Sequence, residues 1–99
     1  MDQQSQKRRM NQRTHYRANP VVSCGAEEDG AVLYNPDTDA TSMVNLTGRE
    51  LWFFLQTART EAEIVDHLLQ NYRDVSVEQA TEDTRLFIES LLPDFLLDT

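Results

Sequence analysis

"MVNLTGRELWFF" (residues 43–54) is the stretch on which the fold turns. An alternating segment, "ATSMVNL" (40–46), reads as a β-strand, and its β-branched and apolar residues suit a pleated, half-buried surface. A Thr-Gly pair follows, and then five large apolar residues, Leu51 to Leu55, arrive in a row. Thr47 with Glu50 three residues later has the form of a capping box, so a helix is expected from Thr47 to about Thr57. Leu51, Trp52 and Leu55 form its apolar stripe, while Phe54 and especially Phe53 fall outside it. The stretch therefore joins a strand to a helix with almost no linker, and it carries more apolar surface than one helix face needs.

Upstream, the turn chemistry predicts two more strands. "VVSCG" (21–25) and "AVLYN" (31–35) flank a charged turn, "AEEDG" (26–30), in which Asp29-Gly30 is a hairpin signal. "PDTD" (36–39) turns the chain into the third strand, with Pro36 presetting φ and Asp37 and Asp39 able to bond nearby backbone. Downstream, Thr60 with Glu63 opens a second helix, "EAEIVDHLLQNY" (61–72). Ser76 with Gln79 opens a third, "VEQATEDTRLFIESLL" (77–92), which Pro93 ends. Ile64, Val65, Leu68 and Tyr72 share one side of the second helix. Val77, Thr84, Ile88 and Leu91 form the central stripe of the third, Ala80 and Phe87 flank it, and Leu86 lies roughly opposite. The expected class is α+β: a three-stranded antiparallel sheet followed by three helices, in the order βββααα.

Ninety-nine residues make one domain at most, and one this small buries little surface, so its stability is marginal without a partner or an unusually good core. The net charge of −8 is unevenly spread. Residues 1–19 carry five basic residues (Lys7, Arg8, Arg9, Arg13, Arg17) against Asp2, a net +4, and lack hydrophobic periodicity. They read as a disordered basic arm, with the folded domain at 20–99. Residues 20–99 carry four basic and sixteen acidic residues, a net −12. Such a body suits a basic peptide or protein and repels a phosphate backbone. The third helix holds Glu78, Glu82, Asp83 and Glu89 against Arg85 alone, so a winged-helix nucleic-acid-binding regulator is a poor alternative. One cysteine, Cys24, builds neither a disulfide framework nor a cysteine zinc site, and no apolar run reaches the roughly 20 residues that span a bilayer. A cytoplasmic chain with no membrane partner is expected.

No constellation in the sequence suggests catalysis. His15 and His67 have no second ligand at metal-binding spacing, and Asp66 beside His67 reads as solvated helix surface. Glu27, Glu28 and Asp29 lack the alternating ligands of a calcium loop. Gly25, Gly30 and Gly48 are isolated, so there is no phosphate loop. The chain is expected to be no enzyme, with no metal and no cofactor. A small sheet does leave free edges, and "TSMV" (41–44) carries neither charge nor proline to blunt one. An extended peptide adding beside this strand is one reading. Coverage of the edge by the arm or by a second copy in a homodimer is the other. A structural subunit of an enzyme complex is a further alternative to the peptide-binding role.

Taken together, "AVLYNPDTDATSMVNLTGRELWFFL", "RTEAEIVDHLLQNY" and "VSVEQATEDTRLFIESLL" resemble the PqqD family, the recognition elements for ribosomally made, post-translationally modified peptides. The resemblance covers about residues 20–97 and rests on Leu33, Asn35, Asn45, Thr47, Gly48, Leu51 and Trp52, then Thr60, Ile64 and Leu68, then Val77, Ile88 and Leu91. It implies a winged helix-turn-helix-like fold without catalysis of its own. It further implies binding of a precursor's leader segment by β-addition at the third strand, in a groove shared with the third helix. The leader is then presented to a modifying enzyme, often a radical S-adenosylmethionine protein. Mapped onto this chain, the strand positions are Thr41, Ser42, Met43 and Val44, and Ala80, Asp83, Thr84 and Phe87 are the helix positions chosen from the helical wheel. Two departures stand out. "SLLPDFLL" (90–97) replaces a common Leu-x-x-x-Gly-Leu-Leu ending, and its Pro93 turn is expected to return Phe95 and Leu96 to the core. Phe53 replaces a residue that is commonly polar, which makes it a candidate docking point for the enzyme, with Leu86 as a second.

Overall fold

The computed structural model describes residues 14–99. Its elements are β1 (His15–Ala18), β2 (Ser23–Glu27), β3 (Gly30–Asn35), β4 (Ala40–Asn45), α1 (Leu46–Phe54), β5 (Arg59–Thr60), α2 (Glu61–Asn71), α3 (Val77–Leu91) and β6 (Leu96–Asp98). The α+β class and the central βββααα order follow the sequence reading, and two small antiparallel sheets replace the expected one.

The first sheet has the order β2-β3-β4, so β3 is central and β2 and β4 are its edges. The β2–β3 hairpin closes on Glu27 opposite Gly30, and the β3–β4 hairpin on Asn35 opposite Ala40. Gly30 is needed at the first turn: a Cβ there would collide with the Val44 carbonyl oxygen on β4. At the second, the Asn35 side chain accepts from the Asp37 amide at 2.8 Å and donates to the Asp94 carbonyl at 2.6 Å, which explains why this polar residue is buried. Asp39 takes a left-handed φ of 64°, a conformation that aspartate tolerates.

The second sheet, β5-β1-β6, revises the expected boundary at residue 20. His15–Ala18 is a strand, paired Tyr16 to Asp98 and Ala18 to Leu96 on one side and His15 to Thr60 on the other. Ala18 is buried, and its amide donates to the Leu55 carbonyl at 2.8 Å. His15 and Thr99 exchange backbone hydrogen bonds of 3.0 and 2.9 Å. The basic residues Lys7, Arg8, Arg9 and Arg13 lie outside the described residues.

The helices begin for identifiable reasons. At α2 the Thr60–Glu63 capping box is reciprocal, at 3.1 and 2.8 Å. At α3 Ser76 accepts from the Gln79 amide at 3.1 Å, but the Gln79 side chain bonds Asp83 instead of reaching back. The α1 cap is not Thr47. Asn45 accepts from the Gly48 amide at 2.8 Å, so the helix starts at Leu46, and it ends at Phe54. Glu50 is thereby released from the box and serves another partner. The core joins Leu33 of the sheet, Leu51, Trp52 and Leu55 of α1, Ile64 and Leu68 of α2, Ala80, Ile88 and Leu91 of α3, and Phe95 and Leu96 beyond the Pro93 turn. In α3 the buried line is Ala80, Thr84, Ile88 and Leu91, while Val77 is exposed. No helix among the described residues is long and apolar enough to cross a membrane.

Candidate functional site

The edge of β4, unpaired among the described residues, faces a groove of about 510 Å³. Met43, Val44 and Asn45 of β4 form one side, and Thr47, Gly48 and Leu51 of α1 and Leu68 of α2 lie between. Asp83, Leu86, Phe87 and Ser90 of α3 form the other. The α3 residues follow the i, i+3, i+4, i+7 spacing of a single helix face. The strand-to-helix junction sets the shape: because Asn45 both ends β4 and caps α1, the edge and the helix start are held together. Gly48 permits the contact, since a Cβ there would stand only 2.8 Å from the Val44 Cβ.

Behind the groove, a polar cluster ties α1 to α2. The Tyr72 hydroxyl donates to Glu50 Oε1 at 2.7 Å, and Glu50 Oε2 lies 3.4 Å from His67 Nε2. The Glu50 hydrogen bond is the main reason the Tyr72 phenol is pushed above its ordinary pKa. The His67 ring stacks on Phe54 at 4.0 Å and 16°, and the Arg59 guanidinium stands over Phe54, also at 4.0 Å. This cluster fixes the relative position of Leu51 and Leu68, which lie on the same two helices.

The groove's charge is simple. Among the described residues Asp83 is the one acidic side chain lining it, and no basic one does. Arg49 turns to the β2–β3 hairpin, donating to the Glu27 and Gly30 carbonyls at 2.8 and 3.2 Å. Arg85, the single basic residue of α3, is paired with Glu82 at 2.8 Å and Glu89 at 3.1 Å, so this helix presents no unpaired cation to a phosphate backbone. Among the described residues no group of three or more His, Cys, Asp or Glu is gathered as a metal site. The Cys24 thiol is pushed up, chiefly by burial, the opposite of an activated nucleophile.

The structure brings together Met43, Val44, Asp83 and Phe87 of the expected peptide site. Thr41 and Ser42 lie on the same edge strand, outside the groove lining. Ala80 and Thr84 are fully buried and belong to the core, because α3 is rotated so that they, and not Val77, meet the other helices. Leu86, expected as a docking point, lines the groove and is 49% exposed. Phe53 is 56% exposed and lies outside the groove. Sequence reasoning missed Asn45, Thr47, Gly48, Leu51, Leu68 and Ser90 as groove residues. The abrupt strand-to-helix junction was the signal for the first three.

Known proteins share this architecture. One solved structure, titled "Lasso peptide synthetase B1 complexed with the leader peptide", superposes with a TM-score of 0.67 at 22% identity, covering 83% of this chain and 96% of that one. A second, "TbiB1 in Complex with the TbiA(beta) Leader Peptide", gives 0.65 at 24% identity, covering 76% and 86%. No curated protein sequence matches significantly. The family described as coenzyme PQQ synthesis protein D (PqqD) matches residues 30–96, a span that holds both walls of the groove. By that match the chain belongs to the PqqD family.

Proposed function

We propose that the chain is a non-catalytic adaptor that binds the leader segment of a ribosomally made precursor peptide and presents it to a modifying enzyme. The observation that carries the reading is the edge of β4, unpaired among the described residues, beside a groove walled by α3, in a chain of the PqqD family. A peptide added along Thr41–Asn45 would gain main-chain hydrogen bonds from the edge. Met43, Val44, Leu51, Leu68, Leu86 and Phe87 would receive its apolar side chains. The two fold neighbours were solved with leader peptides, which supports the same use of this fold.

Phe53, exposed and outside the groove, is the proposed contact for the enzyme. The family resemblance favours a radical S-adenosylmethionine enzyme, and the fold neighbours favour a lasso peptide synthetase; co-purification with each type discriminates. The second edge, β2, is where another copy would pair if the chain dimerises. Cytoplasmic localisation is part of the same reading.

The test is titration of isotope-labelled protein with precursor peptides encoded beside its gene. Amide shifts along 41–45 and 83–90 are expected. Absence of binding to any leader, with no shifts along β4, would overturn the proposal. Phe53→Ala is expected to keep leader binding while slowing modification of the peptide.

A further inference from the structure

The groove is apolar along its middle, with Leu86 and Phe87 facing Val44, Leu51 and Leu68, yet Asp83 brings a carboxylate to its lining. Among the described residues no basic side chain lines the groove to neutralise it. Its hydrogen bond comes from the neutral Gln79 amide at 2.8 Å, and among the described residues no cation pairs with it. Arg85, the nearest cation in sequence, is already bound by two other carboxylates. Asp83 lies about 5 Å, one helical turn, from the Leu86–Phe87 pair. Side chains on one face of an extended strand are spaced about 6.7 Å apart. A peptide residue anchored against Leu86 and Phe87 therefore places its neighbour two positions away close enough for a long basic side chain to reach Asp83.

Resting on the peptide-binding reading above, we infer that Asp83 is a specificity-determining residue. It selects leader segments that carry a Lys or Arg two residues from a large apolar anchor. The apolar middle supplies most of the affinity. Asp83 supplies the choice of sign and fixes the register, because an acidic residue at that point would meet another carboxylate.

The test uses the full chain and displayed random linear peptides as the probe. Wild type, Asp83→Lys and Asp66→Lys are compared; Asp66 is exposed on α2 outside the groove, so its variant makes the same charge change elsewhere. Wild type and Asp66→Lys are expected to enrich Lys or Arg two residues from an apolar anchor, and Asp83→Lys to enrich Asp or Glu there with the anchor unchanged. For a selected basic peptide, Asp83→Asn should weaken binding about threefold and Asp83→Lys about tenfold. Both effects should shrink at high salt. The inference is overturned if Asp83→Lys selects the same charge as wild type, or if Asp66→Lys shifts the selection equally, which would assign the preference to the overall acidic field. A Leu86→Asp variant separates the two levels. If it leaves enrichment of apolar anchors intact, or if no peptide is enriched at all, the groove itself is not the peptide site and the role of Asp83 falls with it. Circular dichroism checks that each variant is folded, and the exposed position of Asp83 favours that outcome.

Discussion

Gly48→Ala sets two ordinary effects against each other at one wall of the groove. Alanine is favoured over glycine inside a helix by about 1 kcal/mol, so propensity alone predicts stabilisation of α1. The added Cβ, however, would stand 2.8 Å from the Val44 Cβ and 3.4 Å from both Val44 Cγ1 and Asn45 Oδ1. Carbon atoms pack at about 3.5 Å or more, so α1 must move off β4 by roughly 0.7 Å. Overpacking of this kind costs about 1–3 kcal/mol. The closest obstacle is a Cβ attached to the strand backbone and not the end of a flexible side chain, so relief by a rotamer change is closed. The net expectation is a loss of about 1 kcal/mol, read as a fall in Tm of about 4–8 °C for a domain of this size. Thermal melts followed by circular dichroism measure it. Val44→Ala supplies the control: it keeps the offending Cβ, so the double variant should show little rescue. A Tm raised by several degrees in Gly48→Ala would refute the reasoning, because it would mean that helix and strand are not in close contact at this joint.

Three further outcomes follow from the same structure. Asn45→Ala should cost about 1 kcal/mol in denaturant unfolding through loss of the α1 cap; an unchanged midpoint would show that Asn45 is not the cap. Thr84 is fully buried and its Oγ1 has no hydrogen-bond partner among the described residues, so Thr84→Val should raise stability by about 1 kcal/mol, and a lowered Tm would show that the hydroxyl is satisfied. The phenols of Tyr16 and Tyr72 are both pushed upward, the first chiefly by burial and the second chiefly by its Glu50 hydrogen bond. Raised values mean that the folded state favours the protonated form. This stability is fully present below the ordinary tyrosine pKa of about 10 and is lost as pH rises through the folded values. Urea midpoints should therefore fall at alkaline pH, and less steeply in Tyr72→Phe; equal slopes would remove Tyr72 from the account.

Local chemistry made the central part of the fold legible. Asp29-Gly30, the Pro36 turn and the Thr60–Glu63 box act over a few residues, and β3, β4 and α2 stand where those signals put them. β2 runs two residues later than expected, Ser23–Glu27 and not 21–25, because Glu27 pairs with Gly30 and shortens the turn to Glu28-Asp29. β1, β5 and β6 were not legible, because "HYRA" is a strand only through its pairing with residues 96–98 at the far end of the chain. Its run of four carries no period that marks it. The α1 start was misread for a related reason: Thr47 and Glu50 fit a capping box, yet Glu50 is taken by Tyr72, 22 residues away, and Asn45 caps instead. At the groove, the strand side could be read from an edge without charge or proline. The α3 side could be read only by half, because a wheel gives the angles between Thr84, Phe87 and Leu86 but not the rotation at which the helix docks. In the structure the helix docks with Ala80, Thr84, Ile88 and Leu91 inward.

The reciprocal hydrogen bonds between His15 and Thr99 bring the two ends of the described chain side by side, on a sheet none of whose strands lines the groove. A domain whose entry and exit points coincide can be spliced into a loop of a larger protein without prying that loop apart. It can equally be reopened at an exposed turn, with its old ends joined by a short bridge. Either operation is confined to the β5-β1-β6 sheet or to a surface turn, and it leaves the β4 edge and the groove beside it untouched.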